Sequence, residues 1–404
     1  MKSATSRLWL PFTQMQDFDA ASRRFVRGDG LWLFDERGRR VYDAVSSIWT
    51  IVHGHCHPRI VEAIAGQAAT LDHATLLGAT NPVAESLAQR LCALTGLEHA
   101  LFASDGASAV EAALKMAVQY WHNRGEPQRS RFVRLSAAYH GDTAGAMSVS
   151  DIGLFKSRFA SMTFETRSYD DGTPFGDDVA AVVVEPVVQA AAGMRIVDPA
   201  SYDALQGRDA LLIVDEVATG FGRTGEMFAS TRLNLQPDLM CVGKGLTGGA
   251  LALSATLATQ RVYDAFLGAH ADMRHFFHGH SYAGNPIACA AALASLDLFG
   301  EEGTLQRVAA IERRAGRRLS ELRGHPCVRA IRHAGAMIGI ELHADRIDPR
   351  DRATPAWRVA DGLYERGQFT RPIGDTIQFV PPLSSDDAAV DGFFDALEAE
   401  LSEP

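Results

Sequence analysis

A lysine set in an apolar, glycine-rich run has chemistry open to it that a surface lysine lacks. In "MCVGKGLTGGALALSATLAT" (residues 240–259) Lys244 is the sole cation. Desolvation disfavours an ammonium and lowers its pKa, so such an amine can act as a nucleophile. The plainer alternative is a loop lysine that reaches water along its stem. Upstream, "LLIVDEVATGFGRTG" ends an apolar run in Asp215, followed by Glu216 and a glycine-rich loop. Alone, Asp215 would suit a helix N-cap. In "ASDGASAVEAALKM", Asp105, Gly106 and Ala107 come directly before a strong helical pattern. Backbone N–H groups at such a helix start suit a phosphate. Finally, "AAYHGDTAGAMS" offers the flat ring of Tyr139, whose plainer role is a core aromatic with a satisfied hydroxyl.

One small molecule would employ all four features. Pyridoxal phosphate needs an amine to condense with its aldehyde and a buried carboxylate to keep its ring nitrogen protonated, so that the ring can accept electrons. Its phosphate needs N–H donors, and its ring needs a flat partner.

Those groups must be held by a sizeable fold. The chain has 404 residues, 47% hydrophobic and 22% charged, with a net charge of -10. That is the composition of a globular protein, and the acidic balance argues against a nucleic-acid surface. The arginines between Arg313 and Arg323 alternate with acids and leucines at helical spacing and read as a solvated helix face. The N-terminal stretch has no apolar segment fit for a secretory signal, and no run of about 18 apolar residues suggests a membrane span. Five cysteines without a C-x-x-C pair fit reduced thiols and a cytoplasmic setting. "HGHCHP" (His53, His55, Cys56, His57) and "HGH" (His278–His280) look like metal ligands. Alternating histidines in a turn do not converge on one point, so no metal is expected.

"GLWLFDERGRRVYDA" reads as a hairpin around Glu36, Arg37 and Gly38. From His57 to about residue 300, helical segments alternate with the buried-strand runs "RFVRLS", "AAVVVEPVV", "ALLIVDEV" and "LMCVGKG". Continuous Val, Ile and Leu strands separated by helices predict an α/β fold whose mostly parallel sheet is covered on both faces. In such sheets ligands bind at the carboxyl ends of strands, where Glu185, Asp215 and Lys244 fall. "AIRHAGAMIGIEL", "GQFTRPIGDTIQFVPP" and a final amphipathic helix predict a smaller α+β unit. The expected layout is a large domain over residues 57–300 and a small domain built from both chain ends, 1–56 and 301–404.

The stretches "VVVEPVVQAAAGM", "LLIVDEVATGFGRTG", "VGKGLTGG", "YHGDTAGAMSVSD" and "GHSYAGNPIACAAALASL" resemble class III, fold-type I pyridoxal-phosphate aminotransferases. The likeness runs from Trp9 to Pro382. "LWLPFTQM", "VSSIWTIVHGH", "LTGGALALSATL" and "RPIG" are similar to the branch that aminates 8-amino-7-oxononanoate with S-adenosylmethionine in biotin synthesis.

The resemblance implies that Lys244 holds the cofactor covalently and moves a proton between the substrate Cα and C4′. It implies Asp215 on the pyridine nitrogen, Val217 and Tyr139 on the two ring faces, and Asp105, Gly106 and Ala107 beneath the phosphate. His280 and Ser281 would arrive from the second subunit of a homodimer. Glu185 and Asp142 would border the site, Gly279 the substrate, and Arg223 would support the wall. Arg371 would bind a carboxylate, which suits its planar fork. Phe12, Ile48 and Trp49 would line the substrate channel, with Gln378 beside them. Three of these depart from the branch's pattern: Phe12 replaces a tyrosine, Ile48 a tryptophan and Gln378 a tyrosine. All three concern substrate. A class III ω-aminotransferase for another amine/keto pair therefore stays open, as does an aminomutase of the glutamate-semialdehyde type.

Overall fold

The computed structural model describes residues 7–16, 23–169, 175–348 and 354–402. Its centre is a seven-stranded sheet in the order His99–Ala103, Ser254–Ala258, Leu239–Val242, Leu211–Asp215, Val179–Val184, Arg131–Arg134, Thr166–Ser168. Ser254–Ala258 runs antiparallel to both neighbours, and the other strands share one direction. Every residue of Val179–Val184, Leu211–Asp215 and Leu239–Val242 is buried, as continuous branched apolar runs require when helices cover both faces. Burying each such side chain contributes about 1.5–3 kcal/mol.

Helix Gly106–Asn123 covers one face. Its Ala-rich stripe, with Leu114, Tyr120 and Trp121, packs on Ile213, Leu239 and Cys241. Asp105 caps it by accepting from the Ser108 amide at 3.0 Å, and Trp121 Nε1 donates to the Ala180 carbonyl at 2.8 Å. The helix start is thereby pinned beside the carboxyl ends of the strands.

The chain ends meet in one small sheet, and the C-terminal part builds a second of its own. The expected hairpin forms from Trp32–Asp35 and Arg40–Asp43. Phe25–Asp29 adds a strand that its charges and Gly28 did not advertise. Gln368–Phe369 pairs parallel to Arg40–Asp43, with Gln368 opposite Tyr42. Val328–Ala334, Met337–Leu342 and Thr376–Phe379 form an antiparallel sheet. The arginine-rich helix Thr304–Leu322 is not simply solvated: Arg314 pairs with Asp391, and Arg318 reaches Asp395 at 2.7 Å and Glu398 at 3.2 Å on helix Asp387–Ser402. Among the described residues no helix is long and apolar enough to cross a membrane.

The histidine-rich turn distributes its rings. Gly54 and Cys56 adopt φ of 92° and 54°, and the three histidines take separate partners. His55 Nε2 lies 2.9 Å from Asp43, His57 Nε2 3.1 Å from Glu302, and His53 Nε2 3.0 Å from the Ser295 carbonyl. Burial pulls the His53 pKa down to about 4 from an ordinary 6.5. The unfolded chain therefore takes up the proton first as pH falls, and this residue destabilises the fold by up to about 3 kcal/mol between pH 6.5 and 4. In denaturant melts wild type should lose stability over that window more steeply than His53→Gln. Parallel curves would refute this.

Candidate active site

At the carboxyl ends of the parallel strands lies a cavity of about 720 Å³. Its wall includes Lys244, Asp215, Glu185, Tyr139, Asp142, Val217 and Trp49, together with Asp105, Gly106 and Ala107 at the helix start. Ten of the residues singled out from the sequence thus share one wall. Phe12, Ile48, Gly279, His280, Ser281, Arg371 and Gln378 are not part of it.

Strand alternation explains how two adjacent acids serve different ends. Asp215 lines the cavity, while Glu216 turns into the protein. There Thr219 Oγ1 donates to it at 2.5 Å and the Ser230 amide at 2.7 Å. Asp215 is held at both oxygens: the Val217 amide donates to Oδ1 at 3.0 Å, and His140 Nδ1 sits 2.7 Å from Oδ2. The other His140 nitrogen is buried with no partner among the described residues, and Nδ1, facing a carboxylate oxygen, is the nitrogen that donates. Sequence reasoning missed His140, although its place directly after Tyr139 was a usable signal.

Lys244 follows strand Leu239–Val242 with φ 43°, a left-handed conformation costly for a side-chain-bearing residue. Burial pushes its pKa down, against the pull of Asp215 and Glu185. Its Nζ lies 4.6 Å from the centre of the Trp49 ring. Burial raises the Glu185 pKa to about 7, and its carboxylate accepts from the Tyr139 amide at 2.9 Å. Tyr139 donates its hydroxyl to Asp142 at 3.0 Å.

Trp49 is delivered by an unusual turn. Ser46, Ser47, Ile48 and Trp49 have φ of 50°, 47°, 64° and 68°, a complete left-handed turn without glycine. Such a conformation costs about 1–2 kcal/mol per residue, so it needs clamps. Asp43 accepts from the Ser47 amide at 3.1 Å and from its hydroxyl at 2.9 Å. Ser46 Oγ donates to the Val380 carbonyl at 2.7 Å. The fully buried Arg223 donates to Ser46 Oγ at 3.3 Å and to the carbonyls of Pro381 at 2.7 Å and Ile51 at 2.8 Å. Arg223 supports the wall and lies outside the cavity lining. Ile48, at the crest, is 37% exposed.

The other residues expected from the sequence on the substrate side lie outside this cavity lining. Phe12 packs edge-on against Phe155 at 5.2 Å, and Phe155 against Tyr139 at 5.9 Å. Nothing in the sequence pattern marked Phe155. The Phe12 carbonyl accepts from Arg371 at 3.2 Å. Arg371 is half-buried, and burial lowers its pKa. It has no carboxylate partner among the described residues. Gln378 is only 1% exposed and sits behind Trp49, accepting from Trp49 Nε1 at 2.8 Å. Gly279 and Ser281 lie on an exposed loop, and His280 Nε2 is 3.2 Å from Ser104 Oγ of the same chain.

The wall fits an aldehyde cofactor with an anionic tail. A methyl group on Gly106 would come within 2.5 Å of Val217 Cγ1, so the helix start and the Val217 side chain can meet only at a glycine. Asp215 offers a fixed carboxylate, Lys244 an amine biased toward neutrality, and residues 105–107 the amides of a helix start. With the sheet order above, this defines a fold-type I, pyridoxal-phosphate-dependent transferase. Residues 16–401 match the model of the aminotransferase class-III family, to which the chain belongs. The adenosylmethionine-8-amino-7-oxononanoate aminotransferase of Geobacter sulfurreducens is 40% identical, covering 98% of this chain and 95% of its own. The crystal structure of the enzyme of that name from Methanocaldococcus jannaschii superposes with a TM-score of 0.91 at 36% identity, over 98% of this chain and 97% of that one. An amine transaminase from an uncultivated Pseudomonas species gives a TM-score of 0.91 at 31% identity over all of both chains.

Proposed function

We propose that this chain transfers an amino group from S-adenosylmethionine to the ketone of 8-amino-7-oxononanoate, giving 7,8-diaminononanoate for biotin. The observation that carries the reading is Arg371, a half-buried guanidinium with no acidic partner among the described residues, on a segment whose backbone is tied through Gln378 to the Trp49 that overlies Lys244. A substrate with its ketone at Lys244 and a carboxylate some carbons away would satisfy both. The similarly named relatives support the same choice.

Pyridoxal phosphate, when bound, supplies an electron sink for the bond being broken at the donor Cα. Lys244 would hold the cofactor and, when its amine is free, would take up and return the proton at the donor Cα. Asp215, oriented by His140, would keep the ring nitrogen protonated. Val217 and Tyr139 would flank the ring, and the amides of residues 105–107 would take the phosphate. Glu185 and Asp142 fix Tyr139. Donor and acceptor then use one cavity in turn, which predicts ping-pong kinetics.

In this reading the enzyme is a cytoplasmic homodimer, its large domain (57–300) carrying the cofactor and its small domain (1–56 with 301–404) the acceptor end. Leu77, Phe277 and Tyr282 are 69%, 58% and 67% exposed around the loop bearing Gly279, His280 and Ser281. An apolar patch of that kind suits a second copy, whose loop would complete the phosphate grip.

Purified protein incubated with both substrates should form diaminononanoate, and the gene should restore biotin-free growth to a strain lacking this step. A well-expressed protein that does neither would overturn the assignment. The second reading is an ω-aminotransferase for another amine/keto pair, favoured by Ile48 at the crest of the turn and Phe12 at the aromatic wall. Turnover of simple diamines or ketones in preference to 8-amino-7-oxononanoate would select it.

A further inference from the structure

Gln378 occupies strand Thr376–Phe379 at the edge of the C-terminal sheet, opposite Gly339. Its side chain faces two groups of opposite kind. The Trp49 indole N–H can only donate, so it meets the amide oxygen, at 2.8 Å. The Arg371 carbonyl can only accept, so it meets the amide NH2. The Gln378 carbonyl is fixed in turn by Thr370 Oγ1 at 2.6 Å. Thr370 precedes Arg371, so the short Thr370–Arg371 segment is bound to Gln378 at both residues. Trp49 overlies Lys244 at one end of this linkage. At the other, the Arg371 side chain donates to the Phe12 carbonyl and lies 5.8 Å from the Trp357 ring.

We propose that Gln378 is a positioning residue that acts as a ruler: one buried amide sets the spacing between the reacting end at Lys244 and Trp49 and the anion-binding end at Arg371. The chemistry admits no simple substitute. A hydroxyl can accept from Trp49 and donate onward, but it does so from a single atom. An aliphatic side chain leaves a buried indole N–H and a buried carbonyl unpaired, and the two ends are then free to drift apart. Substrates that span both ends depend on the tether, whereas substrates that engage only the reacting end do not. The inference rests on Arg371 taking a carboxylate, but not on the identity of the acceptor.

The test compares Gln378→Met with wild type on straight-chain keto carboxylic acids of stepped length, pyruvate being the shortest, with 8-amino-7-oxononanoate alongside. For the best long acceptor, the variant's kcat/KM should fall roughly tenfold more than for pyruvate, through KM rather than kcat. The optimum chain length should also broaden. Arg371→Met should abolish the difference between wild type and variant. Should Gln378→Met fold poorly, Thr370→Val keeps the side-chain shape but cuts the tie from Thr370 Oγ1 to the Gln378 carbonyl, and should produce the same length-selective loss. Equal losses on long and short acceptors, or no loss on either, would overturn the proposal. If wild type rejects 8-amino-7-oxononanoate but shows a length optimum that Gln378→Met broadens, the assigned acceptor fails and the ruler stands.

Discussion

Lys244→Ala should abolish transamination, by on the order of 10⁴-fold or more, and remove the visible absorbance of lysine-bound pyridoxal phosphate. The same amine is expected to anchor the cofactor and carry the proton between Cα and C4′, so its loss strikes both functions at once. Its environment is arranged for this. Burial pushes the ammonium toward its neutral form, and the left-handed backbone at φ 43° is strain of the kind that clusters at functional sites. The fold should survive the change, because a buried polar group is being deleted rather than introduced. The variant should still bind pyridoxal phosphate without a covalent bond, since Asp215 and the amides of residues 105–107 are untouched. Absorbance and single-turnover measurements decide the matter. A variant that keeps its band and turns over within tenfold of wild type would overturn the site.

Asp215→Asn is the second large effect expected. The amide is isosteric, its oxygen can still accept from His140 or from the Val217 amide, and the strand end keeps its shape. What disappears is the negative charge that would hold a proton on the ring nitrogen in the proposed mechanism. Losing one partner of a buried charged pair costs about 3–5 kcal/mol, so kcat should drop roughly 10²- to 10⁴-fold with the cofactor saturating. The visible band should persist, because Lys244 remains; that separates this variant from Lys244→Ala. A kcat within tenfold of wild type would show that the ring nitrogen needs no anion here.

These cofactor-side residues were legible because each sits where sequence patterns are strongest. Asp215 ends a run of buried branched residues, Lys244 interrupts one, and Gly106 opens a long helix. Their neighbours along the chain fix the elements, and the elements fix the cavity. The substrate side was less legible for a physical reason. Phe155 reaches Phe12 and Tyr139 through a short helix with no apolar periodicity to reveal it. Left-handed turns are normally announced by glycine, and Ser46–Trp49 contains none. Gln378 could be recognised as a departure from a pattern. Its burial behind Trp49 depends on residues more than 300 positions away and is invisible to local reading.

The clamps on the Ser46–Trp49 turn also order events during synthesis. Asp43 is made beside it, but Arg223, Val380 and Pro381 follow 177, 334 and 335 residues after Ser46. Without them, four left-handed residues have too little to hold them against their intrinsic preference. At roughly 5–20 residues per second, many seconds separate emergence of the turn from arrival of its last clamp. The strands and helix that carry Asp105, Asp215 and Lys244 lie wholly before residue 259 and can assemble first. The nascent protein should therefore gain its cofactor pocket well before its acceptor end, with the most strained part of the backbone the last to lock.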